Sequence, residues 1–265
     1  MLFYPQLLTG AVCQYPVTRK NNRRTLTNIL ADGTTIRMAD TGAASVNWEL
    51  GYSNLTTTEA AGLQDLFTAS FGEWGSFTFL DPTDNLLNWS EDLTHTVWAA
   101  DPLLALGAGL TDPFGGTAAT RLTNASQTTQ QLAQSLAAPG WYQYCFSVYV
   151  RSDQPTQVEL FASNGGESAQ TDLLVGAEWQ RAVYSFQLAS IVPTIAVGVR
   201  LPAGASVSVF GLQLDAQLGP GSYMKSRDRA GLYPKTRFQG GTLRPTATGL
   251  NQFACAVTLV ASVAG

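Results

Sequence analysis

Residue types that commonly perform catalysis are few in this chain of 265 residues. The single histidine, His95, lies in the polar stretch SEDLTHTVW, and we expect it to be a solvated loop residue. No Gly-x-Ser-x-Gly, His-Glu-x-x-His, phosphate-binding or dinucleotide-binding motif occurs. Acids such as Glu91 and Asp92 look like loop positions, although two carboxylates need only meet in space to hydrolyse a glycosidic bond. The sequence therefore predicts a protein that is not an enzyme.

Three widely spaced cysteines argue against both a disulfide framework and a Cys-x-x-Cys metal site. Cys145 in WYQYCFSVYV and Cys255 in FACAVTLV are predicted to be small buried apolar residues.

Asp112, in the sequence DPFGG, is the one candidate metal ligand. Calcium takes oxygen ligands, so this carboxylate and nearby carbonyls are a candidate for a structural calcium site. A turn-forming Asp-Pro is the alternative, and we prefer it. No other cofactor is expected.

The net charge of −4 is unevenly distributed. Residues 86–217 carry four arginines and ten acids, whereas the flanks carry eleven basic and nine acidic residues. A nucleic-acid-binding protein would be more basic overall, so specific nucleic-acid binding is not expected. We expect the basic clusters to form inter-subunit salt bridges or solvated loops. The candidate interface residues are Arg19, Lys20, Arg23, Arg24, Arg227 and Arg229.

Composition and hydropathy indicate a folded chain without membrane insertion. Hydrophobic residues make up 45% and charged residues 13%, and no apolar run reaches the length of a membrane span. The first eleven residues lack a basic region and contain Pro5, which is untypical of a secretion signal. We expect assembly in a cytoplasm.

The N-terminal part predicts a hairpin, a strand, a helix and a second strand. Asp32-Gly33 is typical of a two-residue hairpin turn within Leu26–Met38. Alternation predicts a strand over Val46–Leu55. The capping box Thr56-x-x-Glu59 opens a helix over Thr57–Phe71, which Gly72 ends. Phe77 and Phe79 then share one face of a short strand.

The middle of the chain is typical of an all-β sandwich. A face change near Gly211 predicts a bulge, and Gln127–Leu136 is the one candidate helix. The predicted strands are Trp141–Arg151, Thr156–Ala162, Ala169–Val175, Gln180–Leu188, Ile195–Leu201 and Ser206–Leu214.

The two ends of the chain look like halves of one domain. Residues 45–82 stop with a sheet unfinished, and residues 233–261 resume with strands that lack partners. Insertions are tolerated at exposed loop tips. The sequence therefore predicts an all-β fold with one helix, in which a discontinuous β-sandwich or barrel (1–85 plus 218–265) carries an inserted jelly-roll β-sandwich (86–217).

The flanks resemble phage distal tail proteins and the lambda-type minor tail protein M family. The matching stretches are EAAGLQDLF, GEWGSFTFLDP and the terminal TRFQGGTLRPTATGLNQFACAVTLV. The resemblance implies a structural protein whose β domain forms a ring, commonly of six copies, between the tail tube and the tip complex. The inserted segment is a departure, because the smallest members of that family lack it.

The middle segment is similar to the carbohydrate-binding-like jelly rolls of phage tail proteins. The matching stretches are NLLNWSEDLTHTVW, DPFGGTAATRL, WYQYCFSVYVRS, EWQRAVYSF and VSVFGLQLDAQLGPGSYMKS. Sugar sites use flat aromatic faces with a few polar groups. Trp89 and Trp98 are therefore the candidate glycan contacts, and the alternative for both is a structural role at the end of the sandwich.

Two function classes follow from these resemblances. The first is a component of a virion tail, assembled in the bacterial host, with tail tube and tip proteins as partners and an outward module for host-surface polysaccharide. The second is a free-standing, secreted glycan-binding protein. A polysaccharide depolymerase would need a larger catalytic domain.

Overall fold

The computed structural model describes residues 1–189 and 191–263, and within them the protein is nearly all β with one α-helix. In chain order the elements are β1 (Val17–Ile29), β2 (Thr35–Leu55), α1 (Thr57–Ala69), β3 (Phe77–Leu80), β4 (Ala99–Ala100), β5 (Leu104–Leu110), β6 (Ala119–Asn124), β7 (Gln130–Leu136), β8 (Tyr144–Arg151), β9 (Thr156–Ser163), β10 (Ser168–Val175), β11 (Gln180–Phe186), β12 (Ile195–Leu201), β13 (Ser206–Asp215), β14 (Leu232–Phe238), β15 (Thr246–Gly249) and β16 (Gln252–Ser262).

The chain divides into two compact units. Unit 1 contains Met1–Leu8, Val12–Phe79 and the chain from Tyr233 onward, and unit 2 contains Thr9–Ala11 and Leu80–Leu232. Unit 2 is thus longer than the predicted segment 86–217, because residues 80–85 and 218–232 also belong to it.

The extra residues of unit 2 close its two ends against each other. The Asp81 N–H donates to the Gly231 carbonyl at 2.7 Å, and the Gly231 N–H donates to the Asn85 carbonyl at 2.7 Å. The Asn85 side chain also donates to the Leu212 carbonyl and accepts from the Leu214 N–H. Residues that the sequence analysis assigned to the flanking domain therefore have their backbone polar groups satisfied inside unit 2.

Unit 1 is built on one sheet, sheet I, to which both ends of the chain contribute. Its strand order is β1-β2-β16-β14-β3, and β15 pairs with β16. The register of β16 on β2 places Val257 opposite Leu50 and Leu259 opposite Trp48. The N-terminal part of the chain and residues 233–261 each contain strands without a partner of their own, and these strands pair with each other in sheet I. Trp48 and Phe79 are fully buried, with ring centroids 5.0 Å apart.

Helix α1 begins where the sequence predicted, but it ends before the predicted last residue. The Thr56 hydroxyl accepts from the Glu59 N–H at 3.2 Å and the Glu59 carboxylate accepts from the Thr56 N–H at 2.8 Å, which is the capping box. Ser70 is the C-terminal cap. Phe71, predicted to be the last residue of the apolar stripe, instead has a φ of 51° and is 76% exposed.

The predicted hairpin is present and is much longer than Leu26–Met38. Strands β1 and β2 pair from Val17–Leu50 to Ile29–Thr35, with a bulge between Asn22 and Arg24. Residues 31–33 lie between Leu30 and Thr34, whose backbone groups bond at 2.8 Å, so the loop has three residues where two were expected.

Unit 2 is a sandwich of two five-stranded antiparallel sheets. Sheet II has the order β10-β9-β12-β7-β4 and sheet III the order β11-β8-β13-β6-β5. The core consists of alternate residues such as Leu160 and Val199 of sheet II and Phe146 and Val148 of sheet III, all fully buried. The six predicted strands of this segment are all confirmed, within a few residues at their ends.

The candidate helix over Gln127–Leu136 is wrong. This stretch contains strand β7, which pairs with β12 from Leu136–Ile195 to Gln130–Leu201. Its residues have no strong intrinsic preference for strand, so pairing with β12 and β4 decides its conformation.

The predicted bulge near Gly211 is confirmed and makes room for a neighbouring ring. The register of β13 on β8 shifts between Phe210 and Gln213, and Gly211 has a φ of 62°. A Cβ built on Gly211 would lie 2.8 Å from the Tyr223 ring. The chain after β13 then covers the outer face of sheet III, where the Arg181 guanidinium donates to the Gly221 carbonyl at 2.8 Å.

The prediction that Cys145 and Cys255 are buried is confirmed. Cys13, Cys145 and Cys255 are buried and unpaired by disulfides. No helix in the described residues combines the length and the hydropathy that a membrane span needs.

Substituting Gly198 tests the close approach of β12 and β7. A Cβ on Gly198 would overlap the Leu132 carbonyl oxygen and lie 2.8 Å from the Ala133 Cα, and backbone cannot easily move away. We expect Gly198→Ala to destabilise unit 2 by about 2 kcal/mol, in the range of overpacked cores. Thermal unfolding measures this.

Gly176→Ala is the matched control, because nothing lies within 4 Å of its built Cβ. It should change stability by less than about 0.5 kcal/mol. Equal effects of the two substitutions would contradict the packing explanation.

Candidate functional site

A cavity of about 270 Å³ in unit 2 contains the best candidate site. Its lining residues are Trp89, Glu91, Asp92, Ala118, Lys225, Ser226 and Arg227. Trp89 and Arg227 are both residues that the sequence analysis singled out, for different reasons. The volume is slightly below the roughly 300–1,000 Å³ of pockets for drug-sized ligands, which suits a ligand about as large as one sugar ring.

The backbone of Trp89 is held in an unusual conformation by three hydrogen bonds. Its φ is 52°, which is uncommon for a bulky residue. Its N–H donates to the Arg227 carbonyl at 3.0 Å, and its carbonyl accepts from the Asp92 N–H at 3.2 Å and from the Trp98 indole N–H at 3.0 Å. Strained backbone persists only where its surroundings fix it, and it concentrates at functional sites.

Trp98 does not line the cavity. Its side chain is buried, and its indole N–H is committed to the Trp89 carbonyl. Of the two predicted glycan contacts, the structure therefore places Trp89 at the cavity, whereas Trp98 holds Trp89 in place.

His95 lies in a loop as expected, but its ring is stacked on Trp89. The ring centroids are 4.3 Å apart and the planes differ by 10°. The imidazole Nδ1 accepts from the Val97 N–H at 3.3 Å. His95 therefore fixes the orientation of the indole, and its ring is only partly solvated.

Charged groups of both signs line the cavity in equal number. The Glu91 carboxylate accepts from the Tyr223 hydroxyl at 3.0 Å and forms an ion pair with Lys225. Burial raises the pKa of Tyr223, so its hydroxyl stays protonated and can act as a donor. Two acids and two bases line the cavity, which suits a neutral ligand with many hydroxyl groups.

Asp112 lies beside this site and has its carboxylate occupied by backbone donors. The donors are the N–H groups of Phe114 at 2.9 Å, Gly116 at 3.0 Å and Ala118 at 3.2 Å. Burial alone would raise the pKa of Asp112, but these hydrogen bonds and the Lys225 charge outweigh it and hold the pKa below its usual range.

These hydrogen bonds explain the position of Asp112 without a metal ion. The bonds close the loop whose Ala118 forms part of the cavity wall. In the described residues, no three His, Cys, Asp or Glu side chains are grouped so that they could hold a metal ion. The calcium site stays a prediction.

The predicted interface residues fall into two groups. In unit 1, Lys20 pairs with Glu49 and Arg24 with Asp40, while the Arg19 guanidinium donates to the Tyr233 hydroxyl at 2.6 Å. Arg23 is exposed in the same strand. In unit 2, Arg227 and Arg229 are exposed, and Arg227 lines the cavity.

Sequence reasoning missed the residues that complete the cavity. Glu91 was interpreted as a loop acid, and Lys225 and Tyr223 are more than 130 positions away from it along the chain. The covering of sheet III by residues after β13 is what brings them together, and no local pattern encodes it. In the sequence, the signal for this site was limited to the polar stretch that contains Trp89.

Sequence reasoning also missed a polar network on the outer face of sheet II. The Arg200 guanidinium donates to Glu159 at 2.5 Å and to Gln131 at 3.1 Å, and lies 3.9 Å from the centroid of the Phe161 ring. The Gln170 amide donates to Glu159 at 2.9 Å. The pairing of strands β7, β12, β9 and β10 makes these residues neighbours, but this pairing could not be predicted from the sequence.

No protein-family model matches the chain, and no curated protein sequence does. Solved structures of similar fold include TmCBM61 in complex with β-1,4-galactotriose, at 15% identity and a TM-score of 0.39, covering 49% of this chain and 97% of that one. Another is the CBM22-1 xylan-binding domain of Paenibacillus barcinonensis Xyn10C, at 13% identity and a TM-score of 0.43, covering 53% and 99%.

A third similar structure is the enzymatically active domain of bacteriophage CBA120 tailspike protein 4, at 8% identity and a TM-score of 0.40. The match covers 52% of this chain and only 22% of the tailspike domain. At such low identities and TM-scores, neither a ligand nor an activity of this chain follows from these proteins.

The Asp112 hydrogen bonds predict a pH-dependent loss of stability. Asp112→Asn removes charge-assisted bonds and should cost about 1–2 kcal/mol at pH 7. A carboxyl with a depressed folded-state pKa stabilises above its unfolded pKa, and this contribution is lost as the pH falls through the folded pKa. The difference between wild type and variant should therefore shrink in acid, as denaturant unfolding at pH 7 and at about pH 3, below the usual pKa of a free aspartate, would show.

Asp153→Asn, at an exposed ion pair with Arg121, is the matched control and should have little effect. A difference for Asp112→Asn that is the same at both pH values would contradict the assignment. A calcium-dependent rise in wild-type stability that Asp112→Asn abolishes would instead support the calcium site.

Proposed function

We propose that this chain is a structural component of a phage or phage-like tail tip, in which unit 1 assembles into a ring and unit 2 binds a glycan of the host surface. The ring, of about six copies in the resembling family, would lie between tail tube and tip proteins. We further propose that unit 2 binds its glycan without cleaving it.

The observation that carries the glycan proposal is the Trp89 cavity. Sugar rings have apolar C–H faces that stack on aromatic planes, and hydroxyl groups that bond to charged side chains. The cavity combines an indole with Glu91, Asp92, Lys225 and Arg227 in a volume suited to one ring. His95 stacks on the indole and Trp98 bonds to the Trp89 backbone carbonyl, so binding would cost little reorganisation.

The tail proposal is supported by the resemblance of the flanks and by the discontinuous build of unit 1. The segments that resemble distal tail proteins are those that form sheet I and α1. A free-standing glycan-binding protein is the second candidate function, because it would use the same cavity. The two candidates differ in whether unit 1 self-associates.

Replacing Trp89 tests the glycan site. We expect Trp89→Ala to weaken binding of the best ligand found on a glycan array by at least about tenfold, which corresponds to 1.4 kcal/mol. Trp89→Phe keeps a planar ring and should retain part of the affinity. Isothermal titration calorimetry with that saccharide measures both.

Trp141→Ala is the matched control, since this tryptophan is also partly exposed in unit 2 but does not line the cavity. The Trp141→Ala variant should bind the same saccharide with the wild-type affinity. Unchanged binding by Trp89→Ala, or saccharide cleavage products in the incubated sample, would contradict the proposal.

Removing unit 2 tests whether unit 1 is sufficient for folding and self-association. We expect a chain in which Phe79 is joined to Tyr233 through a short Gly/Ser linker to fold and to keep the oligomeric state of the full chain. The cost of loop closure changes by only about 0.6 kcal/mol per doubling of loop length. Size-exclusion chromatography with light scattering measures the state, and an unfolded product would show that the two units depend on a shared core.

A further inference from the structure

The β1–β2 hairpin extends beyond sheet I as a two-stranded arm. Strand β16 pairs with β2 only over residues 45–55, so residues 23–43 form a ribbon of β1 and β2 alone. Along this stretch, called the arm below, nearly every side chain on both faces is exposed. Two-stranded hairpins are marginally stable by themselves in water, so such an arm needs a partner surface.

The arm carries large apolar side chains that its own unit does not cover. Ile29 is 68% and Met38 is 55% exposed, and Leu26, Leu30 and Ile36 are exposed as well. Apolar groups of this kind, clustered near the tip of one hairpin, indicate an interaction site. Both backbone edges of the ribbon are also unpaired in the described structure.

A second apolar surface lies after helix α1. Phe71 and Trp74 are each 76% exposed, and their rings are in edge-to-face contact with centroids 6.1 Å apart. Beside them is a groove of about 750 Å³ lined by Glu73, Trp74, Gly75, Ser76, Arg237 and Phe238. Exposed tryptophan beside a groove is typical of the energetic centre of protein interfaces.

The charges of the two surfaces are opposite. The arm, residues 23–43, carries three basic and two acidic side chains, a net of +1, whereas residues 57–76 carry three acids and no base, a net of −3. Within residues 1–189 and 191–263, Arg23 and Arg37 of the arm form no ion pair. Asp65 in α1 and Glu73 next to Trp74 are exposed, and Arg237 lines the same groove as Glu73.

The two surfaces belong to the same chain and do not meet within it. The arm side chains and the Phe71–Trp74 pair are both exposed in unit 1. A second copy of the chain supplies the complementary surface for each of them at once. A contact between two different surfaces of identical chains is heterologous, and it closes into a ring when the rotation between copies permits.

We propose that the arm of one copy docks on the Phe71–Trp74 surface of the next, with Ile29 against the aromatic pair and with Arg23 and Arg37 facing Asp65 and Glu73. In the register of β1 on β2, Ile29 and Arg37 lie on the same face of the ribbon. This inference deepens the ring part of the proposed function, because it names the contact. It is independent of the glycan site in unit 2.

Two full-length variants test the contact. The arm variant carries Ile29→Ser and Arg37→Glu, and the surface variant carries Phe71→Gly and Trp74→Ser. Glycine at position 71 also relieves the positive φ, so loss of folding is not expected there. Native mass spectrometry and sedimentation velocity give the state of each protein.

We expect the wild type to assemble beyond a monomer and each variant alone to be monomeric. An equimolar mixture of the two variants should form a 1:1 dimer and nothing larger, because one intact arm and one intact surface remain. Leu174→Ser, at a residue 70% exposed in unit 2, is the control and should assemble like the wild type. Circular dichroism should show wild-type secondary structure for all variants.

A monomeric wild type would overturn the proposal. So would assembly of either variant alone, or a mixture that gives no dimer. Glycan binding by the monomeric variants, measured in parallel, separates failure of this contact from failure of the glycan site, which Trp89→Ala tests.

Discussion

The pairing of strands from both ends of the chain in sheet I is the constraint on which the other features depend. Strand β14 is the sheet neighbour of β3, and β16 is the neighbour of β2. A chain that leaves at β3 must therefore return beside it after about 150 residues. Unit 2 satisfies this requirement through the Asp81–Gly231 backbone bond at its two ends. The Trp89 cavity follows from the same closure, since its wall combines residues soon after the exit with residues just before the return.

Local signals predicted what depends on neighbours in sequence. The Thr56–Glu59 capping box fixed the start of α1 because both partners lie within one turn. The face change near Gly211 predicted the bulge because it is visible within one strand. The structure adds that Gly211 has a positive φ and makes room for the Tyr223 ring. The turn that was preferred for Asp112 is local as well, since the backbone donors to its carboxylate lie within six residues.

What depends on distant partners was not predictable. Strand β7 contains Gln, Ala, Ser and Leu, residues compatible with a helix, and only its place between β12 and β4 makes it a strand. Phe71 fits the spacing of an apolar helix stripe, yet the helix ends before it and its ring points to solvent. At the candidate site, residue type alone selected Trp89, whereas Glu91, Tyr223 and Lys225 required the fold.

The two exposed surfaces of unit 1 connect stability with association. Most of the free energy of folding comes from buried apolar area, and the arm buries very little within its own chain. Its backbone order costs about 1–2 kcal/mol per residue, which two strands without a core do not repay. The arm is therefore the part of unit 1 whose order gains most from a partner. In the proposed contact, ordering of the arm and association of two copies would therefore be a single coupled step.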